Sequence, residues 1–129
     1  MFETTALYAV ILVITATVLS VRISMARAST GVSLGPGDNA ALLVRMRQFG
    51  NFIENVPLVL IVMILAEAQG LGAGWLHAAG AILVVSRVLH PFGLNPAKPA
   101  TFARIAGSMG TRVATLIPVV AILRGISGV

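Results

Sequence analysis

From Thr4 to Val21 the chain reads TTALYAVILVITATVLSV, without a single charge. Apolar residues fill nearly every turn instead of one stripe, the pattern of a helix surrounded by lipid. The spacing predicts a first helix over about 4–24. Ala26-Arg27-Ala28 has the form of an A-x-A cleavage site. Nothing basic precedes the run, however, and it exceeds an h-region of roughly 7–15 residues, so a permanent transmembrane helix is expected. GVSLGPGDN, residues 31–39, is turn-rich and offers Asp38 or Asn39 as a helix N-cap.

A second helix is predicted over about 40–69, roughly 45 Å long against a hydrocarbon core of about 30 Å. Its first turns, with Arg45 and Arg47, should project into water, and Pro57 should kink it. GLGAG, residues 70–74, is a short turn; Trp75 opens a third helix over about 75–90 as an interfacial aromatic, and Pro91 marks its end. A loop with Pro96, Lys98 and Pro99 leads to a fourth helix over about 101–124. No repeat or second domain is visible, so residues 1–129 read as one all-α, integral membrane four-helix antiparallel bundle.

Composition supports the membrane reading: 57% of residues are hydrophobic and 10% charged, against roughly 45–50% and 25% in soluble domains. The absence of cysteine excludes disulfides and thiolate chemistry from the chain itself. His77, His90 and four scattered acids form no metal-ligand pattern. The net charge of +5 comes from arginines at helix ends without interleaved aromatics, so no nucleic-acid partner is expected. Arg22, Arg27, Arg45 and Arg47 flank the first loop, and Arg87, Lys98 and Arg104 the third, whereas the other side has only Arg124 near a membrane end. The positive-inside rule then puts those two loops in the cytoplasm and both termini outside.

This topology gathers polar residues at one end. In RQFGNFIENVP, Arg47, Asn51 and Glu54 stand at i, i+4 and i+7, on one helix face. Arg87 and His90 end the third helix, Arg104 begins the fourth, and Arg27 trails the first. A simple structural account pairs Glu54 with Arg87 or Arg104 and lets the other arginines snorkel to lipid phosphates. One glutamate cannot neutralise four arginines, and the surplus suits an anionic ligand from the cytoplasm. Arginine grips carboxylates in a bidentate fork and cannot act as a base, but it can stabilise a thiolate. A charge-assisted hydrogen bond of roughly 1.5–3 kcal/mol would lower a thiol pKa by one or two units. A peptide-like thiol bearing two carboxylates and an amine fits this set.

The pattern R-x3-N-x2-E-x2-P, met by Arg47, Asn51, Glu54 and Pro57, resembles the second-helix signature of the MAPEG family, the membrane-associated proteins of eicosanoid and glutathione metabolism. SRVLHPFGL, RIAGSMGT and GDNAALLVR resemble, in turn, the end of that family's third helix, the start of its fourth and the approach to its second in small bacterial members. The resemblance implies a left-handed four-helix bundle assembling as a homotrimer, with glutathione as co-substrate between subunits near the cytoplasmic face and no metal. It implies that Arg47, Asn51, Glu54 and Arg87 bind glutathione, that Arg27 adds a basic contact, and that Arg104 stabilises the thiolate. His90 stands, like Asn55, where family enzymes often have tyrosine, and could donate a hydrogen bond to the ligand. Phe49 replaces a common histidine or glutamine. A small bacterial member implies the bacterial inner membrane.

Arg112 lies two turns beyond Arg104 and is expected to serve structure, for instance across a subunit interface, more than the ligand. Glu67 and His77 flank the outer turn and should be solvated. Gly80 with Ala79 and Ala81, and Gly107 with Gly110, should mark close helix seams. Three functions compete. A transferase or peroxidase would turn glutathione thiolate on a lipophilic electrophile or hydroperoxide drawn from the bilayer. A non-catalytic binder would use the same fold to hold lipid or glutathione. A small four-helix transporter needs a membrane-embedded acid in its first helix, where only Glu3 stands, outside the apolar run.

Overall fold

The structure, a computed structural model, describes residues 2–94 and 101–127. Lys98 and its flanking prolines lie outside them. The described residues form four α-helices: α1 Glu3–Thr30, α2 Ala40–Ala68, α3 Ala73–Phe92 and α4 Phe102–Ser127. All four are long and apolar enough to cross a membrane. They make the antiparallel all-α bundle expected of the sequence. The helices α1 and α4 occupy opposite corners and do not touch, while α2 and α3 each contact the other three.

Helix α1 runs six residues past its predicted end. Nothing between Ser24 and Thr30 breaks it, and Ser29 and Thr30 return their hydroxyls to the Ala26 carbonyl. Gly31 stops it by taking the left-handed conformation, φ 70°, that a side chain would resist. The side chain of Asn39 caps α2 by accepting from the Leu42 amide at 2.9 Å. Helix α2 passes through Pro57 without ending. Pro91 lies inside the last turn of α3 instead of beyond it. Its nitrogen has no hydrogen to give the Arg87 carbonyl, and its own carbonyl, at the helix end, accepts the Leu94 amide at 3.3 Å and the buried Gln48 side-chain amide at 2.7 Å.

Small residues draw the helices together as expected. Tyr8 lies flat over Gly80 where α1 meets α3. Gly107 faces the backbone of His90 and Ser86, and Gly110 faces the Ser86 hydroxyl, where α3 meets α4. The core between the seams is apolar: Leu12, Phe52, Val56, Val59, Met63 and Leu83 among others.

Glu67 corrects the expectation of a solvated acid. The N-terminus of α1 lacks a side-chain cap of its own. Glu67 supplies one from α2, accepting from the amides of Thr4 and Thr5 at 3.1 and 3.0 Å and from the Thr5 hydroxyl. A carboxylate there satisfies orphan donors and opposes the positive end of the helix dipole. His77 is exposed, as expected, with its Nδ1 3.0 Å from the Tyr8 hydroxyl. Glu67→Gln should cost about 1–2 kcal/mol and lower the thermal midpoint in detergent. An unchanged midpoint would mean that the cap adds nothing.

Candidate functional site

The arginine-rich end is built from the C-termini of α1 and α3 and the N-termini of α2 and α4. On α2, Arg47 and Glu54 reach along two turns to pair at 3.6 Å, and both side chains remain more than half exposed. Gly50 lies beneath the pair: a Cβ there would come within 3.7 Å of the Arg47 guanidinium and 3.8 Å of the Glu54 carboxylate. Glu54 therefore pairs within its own helix. The expected partners Arg87 and Arg104 are not the ones it takes.

Asn51 points inward instead. Arg87, only 2% exposed, donates to Asn51 Oδ1 at 3.0 Å and to the Gly107 carbonyl at 2.9 Å. One guanidinium thus joins α2, α3 and α4. Its Nε is buried without a partner. Because Arg87 occupies the amide oxygen of Asn51, the Asn51 NH2 is left as a donor. Asn55, one turn on, donates its side-chain amide to the Asn51 carbonyl at 2.8 Å. A polar cavity of about 180 Å³ opens beside these groups, lined by Asn51, Asn55, Arg87, Thr111 and Arg112 with Ser108 and Thr115.

His90 is buried, with its Cβ against Gly107. Arg104 is exposed at the start of α4. Its backbone lies directly against Gly93, and the Thr101 hydroxyl accepts the Arg104 amide while donating to the Gly93 carbonyl. The end of α3 thereby sets where the Arg104 side chain begins. Arg112 is exposed and reaches the Met109 sulfur at 3.4 Å.

Arg27 is turned elsewhere. Its guanidinium donates to the carbonyls of Val32 at 3.1 Å and Gly35 at 3.0 Å, holding the first loop, and contacts the Met46 sulfur. The sequence also hid Gln48. Its neighbour Arg47 drew attention to the exposed face, whereas Gln48 faces the core and fastens α2 to the end of α3. A polar residue on the apolar side of an amphipathic turn was the available signal.

The geometry brings Arg47 to Glu54 and Arg87 to Asn51 on adjoining faces of α2, with Arg104 at the same end of the bundle. The MAPEG family model matches residues 5–124, nearly the whole chain. The chain belongs to the MAPEG family. Among its relatives is the Inner membrane protein YecN of Escherichia coli K12, 28% identical over 90 residues, which are 70% of this chain and 69% of that protein. The YecN of E. coli O6:H1 matches to the same extent. No solved structure matches. Membership of MAPEG accounts for the order of the motifs along the chain.

Proposed function

We propose that this MAPEG protein binds glutathione at the arginine-rich end and activates its thiolate against a lipophilic electrophile or hydroperoxide. The observation that carries this reading is the Arg47–Glu54 pair, which stays more than half exposed on a membrane-spanning helix. At the lipid edge, where Arg47 reaches water and Glu54 borders the hydrocarbon, such a face is best served by a hydrated, protein-covered setting. A homotrimer with the site between neighbouring subunits supplies one. The protein would then sit in the bacterial inner membrane, as the name of its relative suggests, with the arginine-rich end in the cytoplasm.

Each residue has a task in this reading. Arg47 takes a glutathione carboxylate, and Glu54 takes the amine once the ligand enters the pair. Asn51 donates through the NH2 that Arg87 leaves available. His90 shapes the floor of the site against α4. Arg104 stabilises the thiolate and the charge developing as sulfur attacks. Arg27 contributes by fixing the loop above.

A non-catalytic binder is the second reading, favoured by one observation. The chain's only tyrosine, Tyr8, is engaged with His77 at the opposite end of α3, so no phenol stands among the arginines.

Glutathione titration into detergent-solubilised protein, with ultraviolet thiolate absorbance followed against pH, separates the readings. The wild type should hold thiolate at neutral pH. Arg104→Ala should keep glutathione but raise its thiol pKa by about one to two units, the worth of one charge-assisted hydrogen bond. Binding without thiolate in the wild type would support the binder. No binding at millimolar glutathione would overturn both.

A further inference from the structure

Two arginines at the same end of the bundle, on α1 and α2, take no part in the proposed site. Arg22 on α1 and Arg45 on α2 flank a cavity of about 430 Å³, completed by Ala40, Ala41, Val44, Gln48 and Leu94. No carboxylate lines it. Arg45 spends one N–H on the Arg22 carbonyl at 3.2 Å, which leaves the rest of its fork for a ligand. Directly below, between α1 and α3, a second groove of about 170 Å³ is lined by Thr15, Val18, Leu19, Val88, Pro91 and Phe92, with Arg22 at its rim and Arg87 behind it. Arg22 belongs to both. The upper chamber is cationic and the lower one almost wholly apolar.

Depth agrees with this division. Arg22 stands 19 residues beyond Glu3, the first residue of α1, a rise of about 28 Å and so nearly the full thickness of a hydrocarbon core. The Arg22 side chain therefore starts where lipid headgroups begin. Exposed Val18, Val21 and Met25 continue the apolar surface of α1 on either side of it.

We propose that this double cavity holds one anionic phospholipid, its phosphate between Arg22 and Arg45 and one acyl chain in the groove between α1 and α3. Guanidinium groups match phosphate oxygens bidentately, and arginines at the membrane surface favour anionic over zwitterionic headgroups. The site lies within one protomer and is independent of glutathione. Its occupant would join α1 to α3 on the flank where those two helices leave a gap.

The test uses the delipidated protein in mild detergent, with the thermal midpoint read from the fluorescence of the single tryptophan, Trp75. Phosphatidylglycerol, phosphatidylcholine and inorganic phosphate are titrated separately, and native mass spectrometry counts bound lipid. Phosphatidylglycerol should raise the midpoint and remain bound as one molecule per protomer. Arg22→Gln with Arg45→Gln should weaken it roughly thirtyfold, about fivefold for each arginine. Arg124→Gln, which removes a charge at the opposite end, should not. Val18→Phe, which fills the groove, leaves both arginines and keeps Trp75 as the single tryptophan, should also displace the lipid. Equal stabilisation by phosphatidylcholine would overturn the proposal, as would a full effect of inorganic phosphate alone. Undiminished binding by the double variant, or no lipid bound at all because a second copy covers this face, would also overturn it.

Discussion

Arg87→Ala should destabilise the protein by about 3–5 kcal/mol, the range for breaking a buried charged network. The variant leaves Asn51 Oδ1 and the Gly107 carbonyl without the guanidinium that joins them, inside a bundle where the side chain is 2% exposed. Part of the loss is the cavity left by a long side chain. Arg87→Lys discriminates between charge and shape. An ammonium can serve one acceptor well, but it cannot span two helices as a planar fork does. Lysine should therefore recover less than half of the loss, measured by thermal unfolding in micelles. Glutathione affinity should fall with either substitution, because Asn51 is no longer held with its NH2 as the free donor. If lysine restored both stability and affinity, Arg87 would matter only as a charge.

Gly107→Ala should show the second large effect. A Cβ at that position would lie 2.7 Å from the His90 Cβ, 2.8 Å from the Ser86 carbonyl oxygen and 3.0 Å from the His90 Cα. Two of these contacts are backbone, so no side chain can rotate away and α4 must move off α3. Overpacking of this kind costs about 1–3 kcal/mol. The shift would also draw the Gly107 carbonyl away from Arg87 and carry Arg104 outward with its helix. Thiolate formation should therefore fall together with stability, although alanine is the better helix former. Ala106→Gly, on the same helix but outside the seam, is the comparison: it should cost only the helix propensity of one residue, about 1 kcal/mol. An alanine at Gly107 that left both stability and thiolate unchanged would show that the seam is looser than these distances.

The helices were legible because transmembrane helices announce themselves by length and lack of charge. Their ends were less so. The extension of α1 to Thr30 follows from hydroxyl bonds back to Ala26 that no hydropathy pattern records. The polar face of α2 was visible as a set, yet the partners within it were not. Glu54 took Arg47, two turns away on its own helix, where opposite-helix arginines had been expected. Sequence periodicity gives the face of a residue, and the choice among several cations on that face depends on side-chain reach. Arg27 shows the same limit: it lies inside the last turn of α1 instead of trailing the helix, and the carbonyls of the turn-rich loop offered it acceptors that no spacing foretells. Glu67 was misread because its donors, the first amides of α1, lie at the other end of another helix.

That last contact has a consequence for the order of assembly. The amide of Thr5 waits for a carboxylate 62 positions further along the chain. During synthesis, α1 reaches the bilayer with its first turn uncapped and can complete it only when nearly all of α2 has been made. The first two helices therefore close as a hairpin clasped at its far end. The guanidinium of Arg87, arriving later on α3, then bolts that hairpin to the second one through Asn51 and Gly107.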